Sequence, residues 1–229
     1  RKNTLSNIAR LYPNGAENEP SATQRAYSSL RRMIILCDIA PGEKLKIDEL
    51  RQKLDIGTSA IREALSLLVS DQLVLRLDQR GFKSADVNKT NFQEILELRS
   101  MLEERALSLS IKNTHPVWEE QIVLAGYRLQ QAEKAGLETM EDQHKEFHMA
   151  LIGNCGAPLL LRYCEQLYDL NIRYRYVAAA KDAYSRRDVR TEHQEILEAV
   201  LDHDVETASK RLLEHYALTG DYLSKLIFD

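Results

Sequence analysis

The stretch PGEKLKIDELRQKLDIGTSAIREALSLLVSDQLVLRLDQRGFKSA (residues 41–85) decides the fold, because the spacing of its apolar residues changes twice. Leu50 and Leu54 mark a short helix, Asp55-Ile56-Gly57 makes a turn, and Thr58 can cap a second helix. In that second helix Ile61, Ala64, Leu65 and Leu68 recur at i, i+3, i+4 and i+7, so one stripe turns inward. Residues 73–77 then alternate as a strand does. Asp78-Gln79-Arg80-Gly81 supplies a turn whose glycine can take a left-handed conformation, and residues 82–85 can pair back. Two short helices on a tight turn, followed by a hairpin, are a winged helix-turn-helix.

Toward the N-terminus, a helix starting near Ser21 or Thr23 carries Ala26, Leu30, Met33, Ile34 and Cys37 on one stripe and stops before Pro41-Gly42. Residues 1–20, with Asn3, Asn7, Pro13, Asn14, Gly15 and Pro20, show little periodicity and read as a flexible leader. Residues 21–88 form the winged unit. From residue 89 to 229 the pattern is helical throughout, over roughly 91–111, 116–135, 138–153, 158–180, 183–202 and 205–226. Pro116, Gly136, Gly156-Ala157-Pro158 and Asp202-His203-Asp204 separate these helices. The fold class is therefore mainly α, a winged helix-turn-helix joined to an all-helical bundle.

A chain of 229 residues with 44% hydrophobic content has room for two packed cores. No apolar run reaches the roughly 18 residues of a membrane span, and the first residues lack the apolar core of a secretory signal, so a cytoplasmic location is expected. Cys37, Cys155 and Cys164 stand at unrelated spacings and suggest neither a disulfide framework nor a zinc ribbon. A net charge of −4 argues against nonspecific coating of nucleic acid, but a specific reader needs only a local basic face.

Such a face is available. If the stripe of the second short helix packs inward, Thr58, Ser59, Arg62 and Ser66 project from its other side. An arginine there reaches guanine O6 and N7 in a major groove, while short hydroxyls and N-terminal amides suit phosphates. Arg80 beside Gly81 at the wing tip can enter a minor groove, and Lys44, Lys46 and Lys83 can contact the DNA backbone.

The run Pro41-Gly42-Glu43-Lys44-Leu45, then Leu50 and Leu54, then Ile61-Arg62-Glu63-Ala64-Leu65 and Arg80-Gly81 resembles the N-terminal domain of GntR-family regulators. The resemblance covers about residues 23–87 and implies a regulator, most simply a repressor, that binds a double-stranded DNA operator as a homodimer. Where the family signature reads Ser-Arg-Thr-Pro, this chain has Gly57-Thr58-Ser59-Ala60, so the first signature arginine is missing and Arg62 carries the reading.

In the helical part, His144 and His148 lie four apart, roughly 40° around a helix, on a face shared with Phe147 and Leu151. His193 opens a stripe continued by Ile196, Leu197 and Val200, and His215 shares one with Ala208, Leu212 and Tyr222. One inward histidine is ordinarily a hydrogen-bonded core residue. Four converging imidazoles are costly to bury unless they share a divalent cation. His115 and His203, in loops, read as solvated.

The run His144-x-x-Phe147-His148-x-x-Leu151-x-x-x-Asn154, with His193 and His215, is similar to the FCD effector domain of the FadR-like GntR subfamily over about residues 90–225. That resemblance implies a metal site of one aspartate and three histidines beside a small carboxylate effector. Here His144 stands in the aspartate's place, which favours zinc or nickel over magnesium or calcium. Arg99 lies on an inward stripe with Phe92, Ile95 and Leu102, either as half of an internal salt bridge or as a fork for an effector carboxylate; the family's L-R-x-x-L-E pattern supports the fork. Asn154, Asn171 and Arg175 are further pocket candidates.

Two other readings fit the residues less well. A helical zinc hydrolase would carry glutamate directly after its first histidine, but here Glu146 is turned roughly 200° from His144. A metal-free acyl-chain sensor would need a greasy tunnel where four imidazoles converge.

Overall fold

A computed structural model of the chain describes residues 19–78, 80–132, 134–181 and 187–229. Most of the expected leader, Gln79 of the wing turn and the first residues of the helix expected from 183 lie outside the described residues. The elements run α1 (Ala22–Ile35), β1 (Lys44–Leu45), α2 (Ile47–Leu54), α3 (Thr58–Ser70), β2 (Val74–Leu77) and β3 (Gly81–Ser84). The remaining helices are α4 (Lys89–Lys112), α5 (Pro116–Ala132), α6 (Leu137–Ile152), α7 (Pro158–Ala179), α8 (Arg190–Leu201) and α9 (Val205–Phe228).

Ser21 starts α1 through a capping box with Gln24, which satisfies two backbone donors at the helix start. The helix is shorter than its apolar stripe suggested: it ends at Ile35, and Cys37 lies beyond it in a left-handed conformation, half-buried, with φ 62°. Asp55, also left-handed, stops α2 and sets the tight turn. At α3 the expected cap shifts by one residue. Gly57 is the N-cap, without a side-chain cap bond, and Thr58 is the first helical residue. Ile61, Ala64, Leu65 and Leu68 are fully buried, as their spacing required.

The wing is a three-stranded antiparallel sheet in the order β1-β3-β2. The pairing of Lys44 with Lys83 and Leu45 with Phe82 adds the short β1 to the expected hairpin. Two glycines allow this. Gly42 has φ 76°, and a Cβ there would stand 2.7 Å from Asp86 Oδ1; Gly81 opens β3 at φ 93°.

Asn88 caps α4 by accepting from the Asn91 amide at 2.9 Å. The first hydrophobic cluster does not stop there: the residues buried by α1, α3 and the wing continue into Phe92, Tyr168, Ile172, Tyr174 and Leu223. A second cluster fills the bundle around Leu107, Ile122, Phe147, Ile196 and Leu212.

Helix α7 lies between the two units. On one side Asp169 holds Arg31 of α1, and Arg173 donates to Ser84 Oγ (3.2 Å) and the Ala85 carbonyl (3.0 Å). On the other, Tyr168, Asn171 and Arg175, at i, i+3 and i+7, face the middle of the bundle. Residues 187–189 precede α8 rather than belonging to it, and Asp188 Oδ1 accepts from the Arg190 amide at 3.1 Å, a local turn that competes with helix. No helix of the described residues is long and apolar enough to cross a membrane.

Candidate metal centre and DNA-reading face

Three helices bring the four inward histidines together: His144 and His148 from α6, His193 from α8 and His215 from α9. All four are buried, and one ring nitrogen of each lies within 4.8 Å of the others. The rings of His144 and His148 are 4.5 Å apart between centroids, those of His193 and His215 4.7 Å.

Neighbouring side chains fix the rings through Nδ1. Tyr168 Oη lies 2.5 Å from His144 Nδ1, Tyr216 Oη 3.1 Å from His148 Nδ1, and Glu192 Oε2 2.8 Å from His215 Nδ1. The Nε2 atoms of His144 and His148 lie within hydrogen-bond distance of each other, 3.2 Å apart. His193 Nε2 is buried without any hydrogen-bond partner among the described residues. Desolvation by burial, reinforced by Arg175 and by the rings' mutual repulsion, holds His144 and His148 well below the usual imidazole range. His193 is depressed in the same way, and His215 is pushed down to about 4 although Glu192 opposes it. These are neutral imidazoles with lone pairs available, one of them orphaned. The donor set fits a nitrogen-preferring divalent ion.

Around the rings, three guanidiniums each meet a carboxylate. Arg99 Nε is 2.5 Å from Glu103 Oε1, its other nitrogens donate to Asn171 Oδ1 (3.0 Å) and Tyr216 Oη (3.2 Å), and the rings of Tyr168 and Tyr216 sandwich it at 4.6 and 4.5 Å. Of the two alternatives left open for Arg99, the internal salt bridge is the arrangement present. Asn171 reaches Arg99 and keeps a buried Nδ2 without a hydrogen-bond partner among the described residues. Arg175 donates to Glu141 at 3.1 Å, and Arg187 makes a two-pronged pair with Glu192. Burial opposes ionisation of Glu192, but bonds from His215 and Arg187 outweigh it and draw its carboxyl down to about 2. Beside His144 a cavity of about 40 Å³ is lined by the polar Arg175, Arg187 and Thr219 and by Met140, Val189, Tyr222 and Leu223.

The structure does not bring Asn154 to this centre. Its amide ties the loop after α6 to the end of α4, donating to the carbonyls of Asn113 (2.7 Å) and Ser110 (3.3 Å). Tyr168, Tyr216, Glu141 and Arg187 carry no signal in the sequence pattern. Glu192 stands beside His193 in sequence, yet its partner is His215 on another helix.

At the other end of the molecule, Thr58, Ser59, Arg62 and Ser66 are exposed on one side of α3, with Arg80 and Gly81 exposed on the wing. Ser66 Oγ bonds back to the Arg62 carbonyl at 3.0 Å. The guanidiniums of Arg62 and Arg80 have no carboxylate within ion-pair distance among the described residues. Lys46 pairs with Glu49 at 2.7 Å and Lys83 with Asp86 at 2.7 Å, exposed contacts that solvent weakens.

A winged reader with an exposed arginine helix, coupled to a helical domain with a buried centre, defines a DNA-binding regulator with an effector domain. Residues 22–83 match the gntR family of bacterial regulatory proteins and residues 94–218 match the FCD domain, and the chain belongs to that family. It is 30% identical over 197 residues to the HTH-type transcriptional repressor GlaR of Escherichia coli K12, covering 82% of this chain and 90% of that one. It is 29% identical over 205 residues to the uncharacterized regulator BphR of Paraburkholderia xenovorans, covering 86% and 83%. The fold is shared with E. coli McbR/YncC (TM-score 0.78, 24% identity, 90% of this chain and 99% of that one). A putative GntR regulator from Rhodococcus sp. RHA1 has it too (TM-score 0.75, 19% identity, 90% and 99%). The chain is thus a transcriptional regulator that binds double-stranded DNA, not an enzyme.

Proposed function

We propose that this regulator is a homodimeric repressor whose helical domain holds zinc or nickel on His144, His148, His193 and His215 and senses a small carboxylate there. The observation that carries the reading is the meeting of four neutral, buried imidazoles, with His193 Nε2 left without a partner. When bound, the metal would supply a positively charged, Lewis-acidic anchor for a carboxylate oxygen. Tyr168, Tyr216 and Glu192 stand against the Nδ1 atoms of three rings, which favours Nε2 as the coordinating atom. The cavity of about 40 Å³ beside His144 supports a small ligand over an acyl chain.

Helix α7 supports a link between the two units. Tyr168 touches His144, and the next residue, Asp169, holds both Arg31 of α1 and Lys145 of α6 (2.8 Å). A shift of α6 and α7 on ligand binding moves α1, against which α3 packs, and so changes the spacing of two recognition helices in a dimer. Reader contacts come from Arg62, Thr58, Ser59 and Ser66 on α3, Lys46 on α2 and Arg80-Gly81 on the wing.

The test is operator binding by zinc-loaded protein, with a site selected from random duplexes. The wild type should change affinity on adding a small carboxylate, and His148→Ala should bind the same operator without responding. A ligand response that survives His148→Ala would contradict the reading.

A further inference from the structure

The wing joins α4 through residues 85–88, and units joined by a linker move relative to one another unless the contact between them is extensive. Helix α7 holds this linker at both ends. Arg173 donates to Ser84 Oγ (3.2 Å) and the Ala85 carbonyl (3.0 Å) where the chain leaves β3. The next residue, Tyr174, donates from its hydroxyl to Asn91 Oδ1 (2.8 Å) and the Asn88 carbonyl (3.3 Å), and its ring lies 4.5 Å from that of Phe92. One turn earlier on the same helix, Asp169 holds Arg31 of α1.

Arg173 is the unusual member of this set. It is 3% exposed, and its Nε is buried without a hydrogen-bond partner among the described residues. Its guanidinium is held by a hydroxyl and a carbonyl rather than a carboxylate, and Asp86, on the linker itself, is engaged by Lys83 at 2.7 Å. Desolvation draws its pKa below the usual guanidinium range. An apolar side chain of similar length fills such a space without the cost of burying a cation. What the guanidinium adds is direction, because a planar fork fixes the two acceptors at the exit of β3 relative to α7.

We infer that Arg173 is a positioning residue for DNA binding: it locks the wing to α7, and so sets the angle at which each protomer of a dimer presents its reader and the half-site spacing that the dimer accepts. The inference rests on the homodimer proposed above and is independent of any metal. Arg173 is buried and offers nothing to DNA itself, whereas Arg62 and Arg80 are exposed. Its substitution therefore leaves base reading within a half-site intact and alters the relation between two half-sites, which move apart by about 3.4 Å and turn by about 35° with each base pair inserted.

The experiment measures the affinity of full-length protein for the selected operator and for the same operator with one base pair inserted or removed between its half-sites. The wild type should lose about tenfold or more on either change, and Arg173→Met less than about threefold. Tyr174→Phe, which removes only the hydroxyl bonds to the linker, should fall between them. Base preference within a half-site should be the same in all three, and Arg173→Met should melt within about 4 °C of the wild type, since no ion pair is broken. An unchanged spacing penalty in Arg173→Met, a loss of its base preference, or a wild-type dimer indifferent to spacing overturns the inference and leaves the homodimer standing. If Arg173→Met melts far lower, Tyr174→Phe decides, and an unchanged penalty there overturns the inference too. A wild type that sediments as a monomer on a single half-site contradicts the homodimer and this inference with it.

Discussion

Arg62 and Arg80 stand in solvent with no carboxylate beside them among the described residues, whereas Arg99, Arg175 and Arg187 each hold one in or near the core. The difference follows from what each place must do. A surface that reads DNA keeps its cations free, because their partners are phosphates and base edges on another molecule. Burying a guanidinium carries a large desolvation penalty, and Arg99, Arg175 and Arg187 meet it with carboxylates, whereas Arg173 is held by the Ser84 hydroxyl and the Ala85 carbonyl. The exposed face of α3 and the wing thus carries unpaired arginine, while the charges of Arg99, Arg175 and Arg187 are cancelled within the chain.

The largest effect expected from breaking this contrast comes from Glu103→Ala. It strands the buried Arg99, and chemical denaturation should register a loss of about 3–5 kcal/mol. A loss under about 1 kcal/mol would mean that Tyr216 and Asn171 suffice for the guanidinium. Acid comes next. The four imidazoles sit below their unfolded value, so the unfolded chain takes up protons first as pH falls; stability is intact above about pH 6.5 and declines below it. His215, held at about 4, contributes about 3 kcal/mol to that loss once pH reaches its folded value. Thermal melts of metal-free protein from pH 7.5 to 4.5 should drop accordingly, and a flat profile would argue that the rings are solvated. Smaller still in free energy is Arg62→Ala, which should lower affinity for the selected operator by roughly 10- to 100-fold and relax preference at one base position. Retained selectivity in a binding-site selection would show that α3 is not the reading helix.

Much of the reader was legible because its period was. Ile61, Ala64, Leu65 and Leu68 define the buried side of α3, so Arg62 could face only outward. β1 escaped notice because two residues carry no period, and its pairing depends on the positive φ of Gly42. Likewise Thr58 looked like the cap, but the backbone turns one residue earlier, at Gly57. In the helical domain the convergence of the histidines could be read from three separate stripes. Their orienting partners could not. Tyr168 and Glu192 act on rings of other helices, and contacts of that kind depend on how helices are rotated against one another. Arg99 illustrates the same limit: a glutamate four residues on is compatible with a salt bridge or with a fork, and only the packing of Tyr168 and Tyr216 around it selects between them. Asn154 follows the inward histidines in sequence, yet α6 has ended before it and its side chain turns to α4.

The account turns on the four rings acting as one donor set. Titration of metal-stripped protein with zinc, followed by calorimetry and by metal content after dialysis, should give one ion per chain for the wild type and a loss of affinity of more than about 100-fold for His193→Ala. Absence of binding in the wild type, or binding unaffected by His193→Ala, would contradict it.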